Sequence, residues 1–395
     1  MAEEWINWSG SVRFTPEKIK KPDSETALQK LVLQALADKK QLRIVGAGHS
    51  SMPLVKTDQL LVSQEKLKGI TGFEEDKLRV KLLPGTSIRE ASEGLIKLNT
   101  SLHNTGDIDM QYLAGAFGTG THGSGRKLKN LSSMLVGCRL VDGRGDLKTY
   151  TLEEHPEMIR AARVSLGSLG FMTELTIQVE PAQQFLRKEY CTHTDTSLAH
   201  LHELIETNRM FDLYWYPRSD LTKLRICNPV GEGMQDIPFG DLVKEQEGWL
   251  YEVLPRFRYL KYEEMEYAVP FEAGPECFRE IRKRIKEKHR HYVGWRVLYR
   301  TIAADDACLS PFYNRDSVTI AVLQNHELEY KKYFDDLEPI FRAYDGRPHW
   351  GKKHTLKAPE LKQLYPEWDR FLEIRKQMDP EGIFLNDHLK EIFGL

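Results

Sequence analysis

Residues 42–58 read LRIVGAGHSSMPLVKTD, and the rest of the chain is organised around them. Leu42, Ile44 and Val45 make the apolar front of a short buried strand. The strand runs into small residues, Gly46, Ala47 and Gly48, and then into His49, Ser50 and Ser51. Glycine lets the backbone approach a ligand and take conformations that other residues resist. Such a turn offers bare N–H groups to an anion such as a pyrophosphate. His49 is held where that ligand would lie. The turn is not a complete G-x-G-x-x-G fingerprint. Ser51 stands at the third glycine, and Pro53 interrupts the helix that should follow. No acidic residue follows at the spacing a nicotinamide site requires, so a Rossmann site is excluded.

Outward from this stretch, 395 residues suffice for two sizeable domains. Hydrophobic residues at 41% and charged residues at 29% describe an ordinary globular composition, an α/β-type protein by default. A formal charge of −2 argues against broad electrostatic binding to nucleic acid. No apolar run reaches the length of a membrane span, and the N-terminus does not read as a secretory signal. Five cysteines, scattered and odd in number, show no metal-type pairing and suit a reducing compartment. A cytoplasmic location is expected.

Residues 5–14 read as an aromatic arm packing on the first domain, and 24–40 as a helix. Residues 60–62 form a strand, and 70–83 two strands joined at an acidic turn. Ser87 and Glu90 form a capping box opening a helix to about 98. Residues 104–125, NTGDIDMQYLAGAFGTGTHGSG, are too small to build a core, and read as backbone packed against a flat ligand. A hairpin with Asp-Gly at its turn follows over 134–151. Residues 165–173 repeat the small-residue theme before a strand at 175–180. A domain boundary is placed near Pro181. Beyond it, strands at 185–191, 211–216, 224–227 and 263–269 alternate with helices at 197–208, 277–289 and 328–344. Residues 231–249, rich in glycine and charge, read as a mobile loop. The basic helix 277–289 reads as a solvated face.

Other chemistries fit poorly. No G-x-S-x-G elbow accompanies the serines after His49. His349 and His354 are spaced i, i+5 across a glycine and do not form a metal pair. Asp305 and Asp306 are adjacent, point apart on a strand and cap a turn.

The fragments GAGHS at 46–50, GAFGTGTHGSG at 115–125, SLGSLGFMTELTIQV at 165–179, EYAVP at 266–270, RTIAADDACLSP at 300–311, RDS at 315–317 and PHWGK at 348–352 resemble the aldonolactone oxidase and alditol oxidase group. These are flavoenzymes of the vanillyl-alcohol-oxidase type. The resemblance runs through nearly the whole chain in the family's order. It implies an α+β architecture: a PCMH-type FAD-binding domain of two α+β subdomains (1–181), a cap domain with an antiparallel sheet flanked by helices (182–375), and a C-terminal segment returning to the FAD domain (376–395). It implies FAD held by Val45, Gly46, Ala47, Gly48, His49, Ser50, Ser51, Gly106, Asp107, Gly115, Gly118, Thr119, Gly120, Thr121, His122, Gly123, Ser124, Gly170, Thr173 and Lys352, with His49 bonded covalently to the flavin. A neutral imidazole is a competent nucleophile near pH 7.

The resemblance further implies that Arg300 polarises the substrate oxygen, that Lys352 stabilises negative charge on the reduced flavin, and that Ser124 and His349 contact substrate. The two cations sit among apolar residues, and a buried cation needs an anionic partner. The family's glutamate two residues before the arginine is replaced by Leu298. On a strand, 298 and 300 face the same side, so an apolar group stands where polyol hydroxyls would bind. The expected activity is oxidation of a C–OH group of a sugar lactone, alditol or related alcohol. Oxygen is the expected acceptor and hydrogen peroxide the product, by a monomer needing no metal, membrane or nucleic acid. A dehydrogenase of the same fold, using another acceptor on a less hydroxylated substrate, is the alternative. A flavin-binding protein without sugar chemistry is a third reading, opposed by the presence together of His49, Arg300 and Lys352.

Overall fold

The strand of the opening stretch, Leu42–Val45, is the edge of a three-stranded parallel sheet ordered Lys18–Lys20, Leu60–Ser63, Leu42–Val45. This is a computed structural model describing residues 3–234, 236–255 and 259–395. The helix Glu25–Ala37 covers that sheet. Ser24 caps it by accepting from the Ala27 amide at 3.3 Å, and Leu28, Val32 and Ala35 form its buried stripe. The arm Trp5–Ile6 pairs with Arg13–Phe14, and Val12 and Phe14 pack on Val45 and Leu61.

A second, antiparallel sheet is ordered Leu147–Thr151, Leu135–Val141, Phe171–Gln178, Arg79–Leu82, Ile70–Glu74. The expected hairpin supplies its first two strands. The capping box forms: Glu90 N donates to Ser87 Oγ at 3.1 Å and Ser87 N to Glu90 Oε2 at 2.8 Å.

The remaining sheet has eight antiparallel strands, ordered Asp241–Trp249, Gln184–His193, Leu221–Pro229, Met210–Tyr216, Val297–Ile302, Ser317–Asn325, Tyr262–Pro270, Arg347–Pro348. Helices Gly274–Arg284 and Lys331–Ala343 cover one face, where Phe278 meets Tyr299 and Phe341 stacks on Tyr267. Side chains alternate across a strand. Tyr299 and Tyr267 therefore face the helices, while Leu298, Arg300, Glu264 and Glu266 face the other way, toward the first domain.

Three expectations are corrected. The stretch 231–249, of which residue 235 lies outside the described residues, is not simply a loop. Residues 241–249 pair with Gln184–His193 as the sheet's outer strand. Its charges reflect an edge strand exposed along most of its length, the usual protection of such an edge. The helix at 197–208 breaks at His200 into Thr194–Ala199 and Leu201–Thr207. The basic helix is not merely solvated: Arg282 and Lys286 both engage Asp220, and Arg284 engages Asp336.

The C-terminal residues pack on the first domain. Leu42 N donates to Ile383 O at 2.7 Å, and Phe384 meets Phe171 edge-on. The expected start of this segment, 376, falls inside the helix Trp368–Met378.

Candidate active site

Three adjoining cavities, of about 930, 470 and 550 Å³, run from the glycine turn to the inner face of the large sheet. The first is lined by Val45, Gly46, Ala47, Gly48, His49 and Ser50, and opposite them by Gly115, Gly118, Thr119 and Gly170. Gly48 has φ +72°, which a side chain resists, and a Cβ on Gly115 would meet nothing within 4 Å. The backbone amides of residues 47–50 find no acceptor among the described residues. Such unpaired amides are what an anion-accepting turn requires.

The second cavity shares His49, Ser50 and Thr119 with the first, and adds Ser51, His349 and Lys352. Ser51 N donates to Gly351 O at 2.7 Å, and a Cβ on Gly351 would press on Ser50 Oγ at 3.0 Å. That glycine lets the PHWGK segment lie against the turn. His49 packs its ring 5.6 Å from that of Trp8. Burial, aided by the Lys352 charge, lowers its pKa to about 4, so the imidazole is neutral at pH 7.

The third cavity shares His349 and Lys352 with the second and adds Gly106, Asp107, Thr121, His122, Leu298 and Arg300. Its charges are arranged in two sets. In the first, strand register aligns Arg225, Asp212 and Arg300 side by side. Asp107, from a loop of the first domain, closes the row: Arg225 Nη1 donates to it at 3.0 Å and Arg300 Nη2 at 2.8 Å. Tyr214 O–H also donates to Asp107. The two carboxylates outweigh desolvation and hold Arg300 firmly protonated.

The second set centres on Lys352. Its ammonium donates to Glu264, with Glu266 3.9 Å away. Burial opposes its charge, but the two glutamates raise its pKa above the ordinary lysine value. Glu266, fully buried, is held well below the carboxylate range by His122 and Lys352. His122 Nδ1 meets the Gly123 carbonyl at 2.9 Å and its Nε2 meets Glu266 at 2.6 Å. The ring thus bridges a loop carbonyl and the buried carboxylate. His349 differs. Its Nδ1 accepts from Gly351 N at 3.0 Å, and burial lowers its pKa to about 3, leaving a neutral ring with its proton on Nε2.

Four expected site residues lie outside these cavities. Ser124 donates its hydroxyl to Phe211 O and accepts from Thr301 N at 3.3 Å, tying its loop to the large sheet. Thr173 donates to Glu25 at 2.6 Å. Gly120 faces Pro311 and Val164, and Gly123 leaves no room for a Cβ against Asn104 and Thr105. Glu264, Asp212, Arg225 and Tyr214 were not expected. The need of Lys352 for an anion pointed to a carboxylate, and Glu264 and Glu266 alternate on one strand.

The profile described as FAD binding domain matches residues 16–151, and that described as D-arabinono-1,4-lactone oxidase matches residues 232–392. The L-gulono-1,4-lactone dehydrogenase of Mycobacterium tuberculosis is 30% identical over 431 aligned positions covering 100% of both chains. The chain belongs to the FAD-linked aldonolactone oxidoreductase family. L-gulonolactone oxidase of Mus musculus is 24% identical, over 99% of this chain and 98% of that one. Cholesterol oxidase of B. sterolicum superposes with a TM-score of 0.89 at 16% identity, over 100% of this chain and 97% of that one, and so shares the PCMH-type fold. This aldonolactone oxidoreductase is thus an FAD-dependent enzyme. Its glycine-walled cleft, unpartnered turn amides and the unpartnered Thr121 hydroxyl fit the cofactor.

Proposed function

We propose that the protein oxidises a C–OH group of a sugar lactone or a related sugar alcohol, with molecular oxygen as acceptor and hydrogen peroxide as product. The observation that carries this reading is the meeting of the glycine-walled cleft with a cavity holding two fixed cations, Lys352 and Arg300, and the neutral His349. Bound FAD would supply the oxidant, accepting a hydride from the carbinol carbon. Residues 46–50, with Gly115, Gly118 and Thr119, would hold it.

The chain's own residues divide the remaining work. Arg300, immobilised by Asp107, presents a preorganised donor to the substrate oxygen. Lys352, fixed by Glu264, keeps positive charge where negative charge develops during oxidation. His349 offers its Nε2–H to a substrate hydroxyl. Leu298, packed with Tyr214, Ala321 and Leu323, walls this part of the cavity with hydrocarbon, which disfavours an uncharged alditol. The neutral, nucleophilic His49 supports a covalent tether to the flavin. We further read the protein as a cytoplasmic monomer. Among the described residues no helix is long and apolar enough to cross a membrane.

Anaerobic mixing of the holoprotein with a panel of aldonolactones and alditols tests the activity. Bleaching of the flavin by lactones is expected, and a flavin indifferent to every C–OH donor overturns the reading. Peroxide formation under air tests the acceptor. Bleaching without peroxide would assign a dehydrogenase, the activity for which the mycobacterial relative is named.

A further inference from the structure

The charges lining the third cavity pair off, except one. Glu264 and Glu266 face Lys352 and His122. Asp107 and Asp212 face Arg225 and Arg300. Arg296 lines the same cavity, and it is the one lysine or arginine there without a carboxylate partner among the described residues. Its Nε is buried with no hydrogen-bond partner. Its guanidinium instead lies 4.4 Å from the Tyr214 ring centre and 5.4 Å from that of Trp295. Stacking of this kind orients a guanidinium and leaves its in-plane N–H groups available. A half-buried guanidinium with unpaired donors facing a cavity is matched by an anion that enters it.

The position sets Arg296 apart from the glycine turn, where the cofactor's own anionic pyrophosphate would lie. Arg296 lines neither the glycine-walled cavity nor the one at His49, and shares its cavity with Leu298 and Arg300. It stands two residues before Leu298 on the same wall, which therefore carries one apolar group and one unmatched positive charge.

Resting on the proposed sugar-oxidising activity, we propose that the substrate is a sugar acid whose free carboxylate is bound by Arg296, while Arg300 addresses the oxygen being oxidised. Planar guanidinium donors match a carboxylate bidentately. The acid group has two possible sources, an open-chain aldonate or a lactone that keeps a second carboxyl group.

The test compares acid and neutral partners in the reductive half-reaction of the holoenzyme. One arm sets gluconate against gluconamide, the other glucaro-1,4-lactone against glucono-1,4-lactone. The apparent Kd for flavin bleaching is expected to be about tenfold or more lower for the acid in at least one arm, the size of a charge-assisted hydrogen bond. The arm showing it names the source. Arg296→Gln is expected to abolish the preference by weakening the acid alone, with the neutral partner unchanged and flavin content preserved. Arg296→Lys is expected to restore part of it. Equal affinities in both arms, or an Arg296→Gln variant that keeps the preference, would overturn the carboxylate assignment while bleaching by the neutral lactone leaves the sugar-oxidising reading intact. Where nothing bleaches the flavin, that reading and this one fall together.

Discussion

Glu266 accepts from His122 Nε2 at 2.6 Å in the buried seam between the two domains, 3.9 Å from the Lys352 ammonium. One carboxylate thus faces a histidine and a lysine from different parts of the chain. Breaking a buried pair by removing one partner costs about 3–5 kcal/mol. Glu266→Gln keeps an acceptor for His122 and loses the charge, so a loss near the lower end, about 3 kcal/mol, is expected in urea unfolding at pH 7. The pair also has a pH signature. A carboxylate whose folded pKa lies below 4.5 stabilises fully above that value. The contribution disappears as pH falls from 4.5 through the folded pKa. The variant should therefore converge with the parent in acid, and a constant gap down to acid unfolding would refute the charge pairing.

Arg300→Ala should leave the flavin bound, because Arg300 lines only the cavity furthest from the glycine turn. Loss of one preorganised donor slows catalysis by about 10²–10³-fold. That slowing is expected in anaerobic stopped-flow reduction, and Arg300→Lys should recover part of it. Reduction at the parental rate would remove Arg300 from the chemistry.

His49 is neutral at pH 7 and lines both the glycine-walled cavity and the next one. If it carries the flavin, acid precipitation of the parent leaves a yellow pellet. The same treatment of His49→Ala leaves a colourless pellet and a yellow supernatant. A colourless parental pellet would mean that the cofactor is held without a covalent bond.

Much of this architecture is readable from local pattern. The strand at 42–45, the capping box at Ser87 and the Asp-Gly hairpin each carry their signal within a few residues. The edge strand Asp241–Trp249 carries none, because a strand exposed along most of its length loses the alternation that burial imposes. The site divides the same way. The glycine turn and His49 are contiguous in sequence. Asp107, Asp212, Arg225 and Arg300 come from four segments; strand register aligns the last three, and a loop brings Asp107 to them. The partner of Ser124 is likewise non-local: its motif is contiguous, but the carbonyl that its hydroxyl meets, Phe211 O, lies 87 residues along the chain.

His349 and His354 are both buried, and burial lowers each pKa to about 3. An unfolded histidine titrates near 6.5. Below that pH the unfolded chain binds two protons that the folded chain refuses. Their contribution to stability is therefore whole above pH 6.5 and shrinks as pH falls from 6.5 toward 3. Each refused proton is worth about 1.4 kcal/mol per pH unit, so the two together approach about 2.7. His49 and His388, lowered to about 4, and Asp305, raised to about 6, also contribute between pH 5 and 6, so the difference between variant and parent, not the parental slope, isolates one residue. His354 makes the test clean, because neither ring nitrogen has a hydrogen-bond partner among the described residues and its ring packs edge-on to Trp350. His354→Phe keeps that packing and removes one refused proton. Urea unfolding of the variant between pH 5 and 6 should show a slope shallower by about 1.4 kcal/mol per pH unit, with equal or higher stability at pH 7. Parallel slopes for parent and variant would show that His354 is protonated in the folded protein.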